Sequence, residues 1–596
     1  MSEIGKASGP FLWAVDSLVK VFRNQPAPAE AGRIVLDAAR GESVSAQIVV
    51  TAGRKSLRGL AIRLESGRRG TGSELPIHDI RYVGYIPIKK NSWRLQQVEL
   101  LRQAPCEIPD VLFEQPPDEI PLGENQPVYV TIQVAPDAAV GVWHGRLIVT
   151  ADAAYEAEIP IALHVYGVNL PNERTAISGS LFQNGMGALT PEEEALFRQS
   201  PDVADVPKSA DSEDGQRRSF LERQFGIRTF SDEYWELMTA FAREMGTHRQ
   251  NGITISPLAL TEKSVHDGRL VFDFSRFDRF VEIFKHAGGC DEMNFCSLAT
   301  RDELRHAHFN APYLVGRICE AKDGKVSFGE ARPEHPRFEH FLSRWLPALE
   351  RHLEEKGWLD SSAQHLCTEP SHLHAEQYQV LRKLCRKYAP KLRQVDAYFY
   401  WHDPQCEVNY WLPHTDYYAS HLEFFRGRKA AGDRVGIYAD GTTGGAAEEA
   451  VGIYRDERVG GAVFQHYLDL SLMKMRVIFW YCFVERLRGW YYWAWNEWEN
   501  DPFRSCPRDY VSPGAGWLVY PSQRPALGVY SSVRAEQLLE SIQDCELLRV
   551  LENRNPSKAR EIAVKVMRSA HDYERDIGAF RAAKRQLLEN LASERK

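Results

Sequence analysis

Apolar and polar residues alternate along the N-terminal part of the chain. Every second position from Val128 to Val134 and from Ile159 to Val165 is Val, Ile or Leu. This period of two predicts half-buried β-strands, and Pro136-Asp137 and Gly141 supply turns between them. Because no long helical pattern interrupts these strands, residues 10–171 are predicted to form an N-terminal antiparallel β-sandwich.

Beyond Pro171 the apolar residues recur at helical spacing, and short strand-like stretches follow the helical segments. Helices are predicted within residues 220–247, 277–287, 338–356 and 373–388. Strands are predicted at Gly252–Ile255, Gln364–Cys367, Gln394–Phe399 and Val435–Tyr438. This alternation predicts parallel βα units, and a (β/α)8 TIM-like barrel over residues 172–530 fits their length. A doubly wound sheet is the alternative, although no glycine-rich phosphate loop follows an early strand.

Two further segments differ from the barrel pattern. Residues 531–596 are predicted to form C-terminal helices that pack on the barrel, because leucines recur near heptad spacing from Leu538 to Leu551. The charged stretch Ser557–Glu594 predicts a surface helix, with a contact in a homo-oligomer as the alternative. Residues 189–218 are polar and acidic, which predicts a long loop or a partly disordered insertion.

Composition narrows the class of protein. No run of about 18 apolar residues is present, so a membrane span is not expected, and the first residues lack the order of a signal peptide. Ten cysteines form no CxxC pair, which favours a reducing, cytoplasmic setting. The net charge of -8 argues against a nucleic-acid partner. Fourteen tryptophans and 24 tyrosines offer flat platforms for sugar rings, or serve packing alone.

The strongest candidate for chemistry is Glu369. It follows the predicted strand Gln364–Cys367, and Pro370 ends that strand and begins the next helix. Residues at this position of a barrel point into the active-site mouth. Partial burial there would favour the protonated form that a general acid needs. The alternative is a carboxylate that only stabilises a helix N-terminus.

Other residues are predicted to bind substrate. The aromatic run Gly489–Trp498 predicts a late barrel strand that brings polar groups and rings to the same mouth, or a buried strand with a capped end. Between Thr247 and Asn251, polar side chains precede a strand and could line a sugar subsite or bridge a helix end to the barrel. The substrate-binding candidates in these and neighbouring segments are His248, Asn251, His372, Tyr438, Asp440, Trp493, Trp495, Asn496 and Glu497. No cofactor is predicted, and the HxH pairs lack a third partner, so no metal site is predicted either.

Several motifs, taken in their order along the chain, resemble glycoside hydrolase family 123 and its relatives, long labelled as a domain of unknown function. The family's catalytic strand is similar to Cys367–His372, and its Pro and Asp-Ala motifs are similar to Tyr388–Leu392 and Val395–Ala397. The resemblance extends to segments 248–251, 272–278, 467–469, 492–498, 514–521 and 532–548. It covers nearly all of the chain after about Phe11.

The resemblance implies a β-sandwich, a barrel and an exo-acting β-N-acetylgalactosaminidase that uses substrate-assisted catalysis. In that scheme the 2-acetamido oxygen attacks the anomeric carbon, and Glu369 protonates the leaving oxygen. The family's preceding Asp is Thr368 here, which carries no charge. Loss of one such preorganised electrostatic partner costs on the order of 3 kcal/mol in the transition state.

Three hypotheses therefore stay open, all with a carbohydrate as the partner. Another carboxylate, such as Asp403, Asp440 or Glu497, could replace the missing charge on a β-linked N-acetylhexosaminide. The enzyme could instead cleave a sugar without an acetamido group, with Glu369 paired to a second carboxylate. The third hypothesis is a carbohydrate-binding protein without turnover.

Overall fold

The structure is a computed structural model of the chain. It describes residues 9–66, 77–92, 100–152, 154–182, 189–202, 220–302, 311–367, 369–398, 408–439, 464–498, 501–504, 512–523 and 527–593. Two antiparallel β-sheets lie at the N-terminal end and a large parallel sheet follows them. Among the described helices, none is long and apolar enough to cross a lipid bilayer.

The two N-terminal sheets face each other around one apolar core. In spatial order, the first sheet consists of Phe11–Asp16, Ser43–Thr51, Asn125–Gln133, Ile77–Ile88 and Cys106–Phe113. The second consists of Ile34–Arg40, Tyr155–Asn169, Gly141–Ala151 and Ala61–Ser66. All pairings are antiparallel except that of Ile34–Arg40 with Tyr155–Asn169. These antiparallel sheets agree with the sequence prediction, with one parallel pair added.

The predicted strands lie where the alternation placed them, but one is buried more fully than expected. Tyr155–Asn169 alternates between buried and accessible residues, as a period of two predicts. Asn125–Gln133 is buried at every position except Gln133, so the prediction of a half-buried strand was wrong there. One face of this strand meets the apolar core, and Tyr129 on the other face accepts a hydrogen bond from Gln537 at 2.7 Å.

A nine-stranded sheet, all of whose pairings are parallel, forms the middle of the molecule. In spatial order its strands are Arg434–Val435, Tyr410–Pro413, Arg393–Tyr398, Ser362–His365, Glu292–Phe295, Gly252–Ile255, Ile177–Leu181, Gly489–Tyr492 and Ile437–Ala439. The two edge strands are separated in sequence by Gly436 alone, and His414 and Tyr438 form a parallel bridge across the gap. The sheet is therefore barrel-like and nearly closed.

Helices follow most of these strands on the outside of the sheet. Within the described part of the chain, the α-helices are Pro191–Phe197, Phe220–Phe225, Asp232–Thr247, Pro257–Leu260, Ser275–His286, Pro336–Glu355, Ala375–Tyr388, Thr415–Ser420, Leu422–Ala430, Leu472–Arg476, Ile478–Val484, Val533–Arg554, Pro556–Val566 and Ile577–Ser593. Short 3-10 helices span Leu359–Ser361 and His372–His374. The remaining strands form small antiparallel sheets from Leu57–Arg58, Glu119–Ile120, Glu262–His266, Arg269–Asp273, Thr300–Arg301, Leu314–Lys322, Lys325–Ala331, Tyr520–Pro521 and Val529–Tyr530. Mixed α/β layers of this kind match the predicted fold class.

The segment predicted as a loop or disordered insertion begins with a helix. Thr190 and Glu193 form a reciprocal capping box at the start of Pro191–Phe197, which satisfies free N–H groups at the helix end. Arg337 pairs with Asp202, the last described residue of this segment, at 3.1 Å. Residues 203–219 lie outside the described part of the chain.

The C-terminal helices contact the sandwich as well as the barrel. Gln543 of Val533–Arg554 exchanges hydrogen bonds with the backbone of Ser43 at 2.8 Å. Lys584 of Ile577–Ser593 pairs with Glu42 and with Asp544, both at 2.6 Å, and is 3% exposed. The single surface helix predicted over Ser557–Glu594 is instead divided into two helices, Pro556–Val566 and Ile577–Ser593, so that part of the prediction was wrong. Of these two, Ile577–Ser593 contacts the sandwich strands Ile34–Arg40 and Tyr155–Asn169 as well as the helix Val533–Arg554.

Candidate active site

Glu369 lies just beyond the carboxyl end of strand Ser362–His365. Its backbone has φ +49°, in the left-handed region that residues other than glycine rarely adopt. Such a conformation costs on the order of 1 kcal/mol or more and is found preferentially at functional sites. The residue is 8% exposed. This backbone aims a largely buried carboxyl group at the carboxyl edge of the sheet.

Two side chains hold the carboxyl group of Glu369. The Tyr438 hydroxyl, on the edge strand Ile437–Ala439, donates a hydrogen bond to its Oε1 atom. The Arg301 guanidinium lies 3.5 Å from Oε2 and also donates to the backbone carbonyl of Glu369 at 3.2 Å. Arg301 and Tyr438 are both buried. A hydrogen bond from Tyr438 and an ion pair with Arg301 thus hold the carboxylate from two sides, as a proton-transfer group requires.

Asp396 supports the segment that leads to Glu369. It accepts hydrogen bonds from the Cys367 N–H at 3.2 Å and from the Tyr378 hydroxyl at 2.6 Å. Burial raises the pKa of Asp396 to about 6, although His365 and the hydrogen bonds oppose the shift. On the other side of Glu369, Ser371 and His374 form a capping box. Both flanks of the catalytic candidate are thus fixed by side chains.

His414 and Gln465 extend the site next to Tyr438. The rings of His414 and Tyr438 meet edge to face with centroids 5.3 Å apart. The Gln465 amide lies 3.4 Å from Nε2 of His414, and both residues are 0% exposed. This arrangement gives the edge of the sheet a buried polar cluster around one carboxyl group.

A comparison with models of protein families identifies the family of this chain. The model of the glycoside hydrolase 123 catalytic domain matches residues 216–551, more than half of the chain. The chain belongs to glycoside hydrolase family 123. Family membership makes it a glycoside hydrolase with a carbohydrate substrate. None of the curated protein sequences matches it.

Solved structures agree with this fold. A family 123 glycoside hydrolase from Clostridium perfringens, studied for glycolipid glycan hydrolysis, matches with a TM-score of 0.69 and 13% identity over 98% of both chains. The GH5 xyloglucanase of Bacteroides ovatus matches at a TM-score of 0.30 and 10% identity, over 89% of this chain and 100% of its own. The first match supports the fold of this family 123 chain, and the second is too distant to add to it.

Some of the predicted site residues of this glycoside hydrolase are brought together, and others are not. Tyr438 contacts Glu369, as described above. His372 is exposed within the 3-10 helix two residues beyond Pro370. Thr368, Asp403 and Asp440 lie outside the described residues.

The aromatic run contributes less to the site than predicted. Trp495 is 0% exposed and packs against Phe182 and Phe241 with ring centroids 5.8 Å and 5.5 Å away. A ring enclosed by the core cannot stack on a sugar, so its prediction as a substrate-binding residue was wrong. Asn496 is also 0% exposed and pairs through its backbone with Trp517.

Trp493 and Glu497 are only partly buried. Both are held through their backbone, because Trp493 donates to the Ala439 carbonyl at 3.1 Å and Glu497 donates to the Gly516 carbonyl at 2.8 Å. These two residues stay candidates for substrate contact.

His248 and Asn251 lie at the opposite edge of the parallel sheet from Glu369, where the strands begin. Asn251 is 0% exposed. Its side chain accepts a hydrogen bond from the Ser178 N–H at 2.9 Å and donates one to the Asp291 carboxylate at 3.0 Å. His248 Nε2 lies 2.9 Å from Oε1 of Glu536 in the C-terminal helix. The subsite prediction for both residues was therefore wrong, and the alternative of a structural bridge fits the contacts.

The buried ion pair of His248 predicts a pH-dependent stability. Burial lowers the pKa of His248, but Glu244 and Glu536 outweigh it and raise the pKa to about 9. The stabilisation is complete below the unfolded value of about 6.5 and is lost as pH rises through about 9. We expect the free energy of unfolding to fall by up to about 3 kcal/mol across this window.

Denaturant unfolding at several pH values measures this loss as the difference between wild type and His248→Gln. In the difference, contributions from other titrating groups cancel. His144→Gln, which changes an exposed histidine, is the control and should leave the wild-type profile unchanged. Equal pH profiles for wild type and His248→Gln would contradict the prediction.

Proposed function

We propose that this family 123 enzyme removes a β-linked N-acetylhexosamine, such as N-acetylgalactosamine, from a glycan, with Glu369 as the general acid and base. The observation that carries the proposal is the burial of Glu369 at the carboxyl edge of the parallel sheet, with Tyr438 and Arg301 bound to its carboxylate. The work on glycolipid glycans with the Clostridium perfringens relative supports a glycan substrate.

We further propose that the sheet is the (β/α)8 barrel predicted from the sequence. Arg434–Val435 and Ile437–Ala439 then form one strand interrupted at Gly436, which reduces nine strands to eight. Glu369 and Tyr438 would face the active-site mouth, since the carboxyl ends of barrel strands carry catalytic groups.

The proposed reaction proceeds in two steps. The substrate's acetamido oxygen attacks the anomeric carbon while protonated Glu369 gives its proton to the departing glycosidic oxygen, which leaves an oxazolinium ion and a Glu369 carboxylate. A water molecule then transfers a proton to the Glu369 carboxylate while its oxygen bonds to the anomeric carbon. The bond from that carbon to the acetamido oxygen breaks, which restores the acetamido group and protonated Glu369. Tyr438 and Arg301 hold the carboxyl group in one position through both steps.

A second candidate function is favoured by the neutral residue at position 368. Substrate assistance is normally supported by a carboxylate that holds the acetamido N–H and balances the cation, and a threonine hydroxyl supplies no charge. A glycosidase acting on a 2-hydroxy sugar needs no such group. It would pair Glu369 with a second carboxylate, such as Glu497, at roughly 5 Å for retention or 6.5–9.5 Å for inversion.

Substitution at position 368 separates the two candidates. We expect Thr368→Asp to raise kcat/KM on a nitrophenyl β-N-acetylgalactosaminide by up to about a hundredfold, because the new charge stabilises the oxazolinium-like transition state. Thr368→Asn has nearly the same shape as the aspartate variant and adds no charge, so it should give no such increase. Faster turnover of the 2-hydroxy glycoside by wild type, with no response to Thr368→Asp, would favour the second candidate.

A further inference from the structure

A cavity of about 950 Å³ opens at the amino-terminal edge of the parallel sheet, on the side opposite Glu369. Thr175, Arg434 and Arg488, which precede or begin three strands, form one wall. The ends of helices Leu422–Ala430 and Ile478–Val484 form much of the rest. The cavity is separate from the candidate active site and the proposed reaction does not use it.

The lining of this cavity is strongly cationic. Among the described residues it contains the cations Arg426, Lys429, Arg434, Arg486, Arg488, Arg549 and Arg560 and the anions Asp433, Glu485 and Glu552. Seven positive and three negative groups leave a formal charge of +4 in a chain whose total is -8. A positive concavity on an acidic protein attracts and concentrates anions.

The carboxylates in the cavity already have cationic partners. Glu485 pairs with Arg426 at 3.0 Å, and Glu552 pairs with Arg486 at 3.2 Å. Arg560 instead donates to the Val484 carbonyl at 2.5 Å. A hydrogen bond to a carbonyl group does not neutralise the guanidinium, and among the described residues Arg560 forms no ion pair.

Arg549 and Lys429 have a similar environment. Arg549 donates to the Leu487 carbonyl at 3.4 Å, and Lys429 donates to the Tyr418 hydroxyl at 2.9 Å and to the Glu485 carbonyl. Burial lowers the pKa of Lys429 to about 8, and nearby arginines add to the shift while the Glu485 carboxylate opposes it. Burial is the main cause of this shift, and an anion bound nearby would stabilise the charged ammonium group.

Electrostatic stabilisation of helix C-termini explains only some of the cations that line the cavity. Cations stabilise the partial negative charge at helix C-termini, and three described helices, Leu422–Ala430, Ile478–Val484 and Val533–Arg554, end at the cavity. One cation at each end would suffice for that effect. Arg488 and Arg434 also lie 3.3 Å and 3.9 Å from the Glu292 carboxylate. The lining cations beyond these ion pairs are Lys429, Arg549 and Arg560, and three such charges suit a ligand with more than one negative charge.

Part of the lining is apolar. Phe483, Val484, Val435 and Leu487 contribute to the wall and are themselves nearly buried. The combination of an apolar wall and convergent guanidinium groups suits a ring attached to a phosphate, which arginines bind through paired hydrogen bonds. We propose that this cavity binds a phosphate monoester of a sugar or a similar ring compound, at a site distinct from the catalytic one.

Isothermal titration calorimetry with glucose 6-phosphate and with inorganic phosphate tests this proposal on the full chain. Arg549→Gln/Arg560→Gln should weaken binding about tenfold, because two charge-assisted contacts are lost. Lys558→Gln is the matched control, since Lys558 lies in the same helix as Arg560 and pairs with Glu561 outside the cavity lining. It should leave affinity within about twofold of wild type.

A second variant should change the binding affinity in the opposite direction. This test remains valid even if the double variant does not fold. Glu552→Gln removes a carboxylate from the cavity and frees Arg486, so binding should become severalfold tighter. Tighter binding of glucose 6-phosphate than of inorganic phosphate identifies an organic monoester as the ligand class, and equal affinities identify a free oxyanion. No binding by wild type at about 10 mM ligand, or the same loss in Lys558→Gln as in the double variant, would overturn the proposal.

Discussion

Glu369→Gln is expected to lower kcat/KM by about 10³, because an amide cannot give a proton to the leaving oxygen. The substitution keeps the shape of the side chain and its contact with Tyr438. The loss should be smaller for a nitrophenyl glycoside than for a disaccharide, since a good leaving group needs less protonation. Steady-state kinetics on both substrates measure the difference.

A matched control is available within the barrel. Glu350 is 9% exposed, close to the 8% of Glu369, and accepts hydrogen bonds from the backbone of Lys391 and Leu392. An amide at this position can still accept those bonds, so Glu350→Gln should retain nearly full activity. The activity of Tyr438→Phe should lie between those of Glu369→Gln and Glu350→Gln. We expect a loss of about tenfold to a hundredfold, because the carboxylate is positioned less well without the hydroxyl. Full activity in Glu369→Gln would exclude it as the acid.

Asp110→Asn is expected to cause the largest loss of stability, about 3–5 kcal/mol, because it leaves a buried charge without its partner. Asp110 and Arg534 are both 0% exposed and lie 2.9 Å apart. Arg534 also donates to the carbonyl groups of His466 and Gly514. The pair thus joins the sandwich to the C-terminal helix and to loops of the barrel.

Urea unfolding compares this variant with Glu107→Gln in the same strand. Glu107 pairs with Arg23 at 2.8 Å, but the two side chains are 48% and 36% exposed. An exposed pair contributes only about 0–1 kcal/mol, so the midpoint of Glu107→Gln should stay near that of wild type. Similar midpoints for Glu107→Gln and Asp110→Asn would show that burial of the Asp110 pair does not add to stability.

The residues of the candidate site differ in how far the sequence could reveal them. Glu369 was predictable because Pro370 marks the end of a strand and therefore the edge of the sheet. Arg301 lies on a short antiparallel strand far away in sequence, and Gln465 follows the undescribed residues 440–463. No periodicity connects these two residues to Glu369, since only the three-dimensional fold brings them near it.

Burial on both faces accounts for the errors in the fold. Strands of parallel sheets are apolar at nearly every position, because both faces of the sheet are buried. The apolar run around Trp495 therefore does not indicate whether its side chain points into the core or into the active-site mouth. The alternation around Tyr129 predicts one solvent-facing side, and only the long-range contact with Gln537 removes it. The helix Pro191–Phe197, in contrast, had a local signal in Thr190 and Glu193 that the acidic composition obscured.

The cover that the C-terminal helices provide has a consequence for biosynthesis. Tyr129 and Gln537 are 408 residues apart, so at about 5–20 residues per second the ribosome needs roughly 20 to 80 s between them. During that interval the outer face of the first sheet is open to water and to other nascent chains. Chaperones that bind apolar surfaces of nascent chains could therefore bind this sheet before the helix Val533–Arg554 is synthesised.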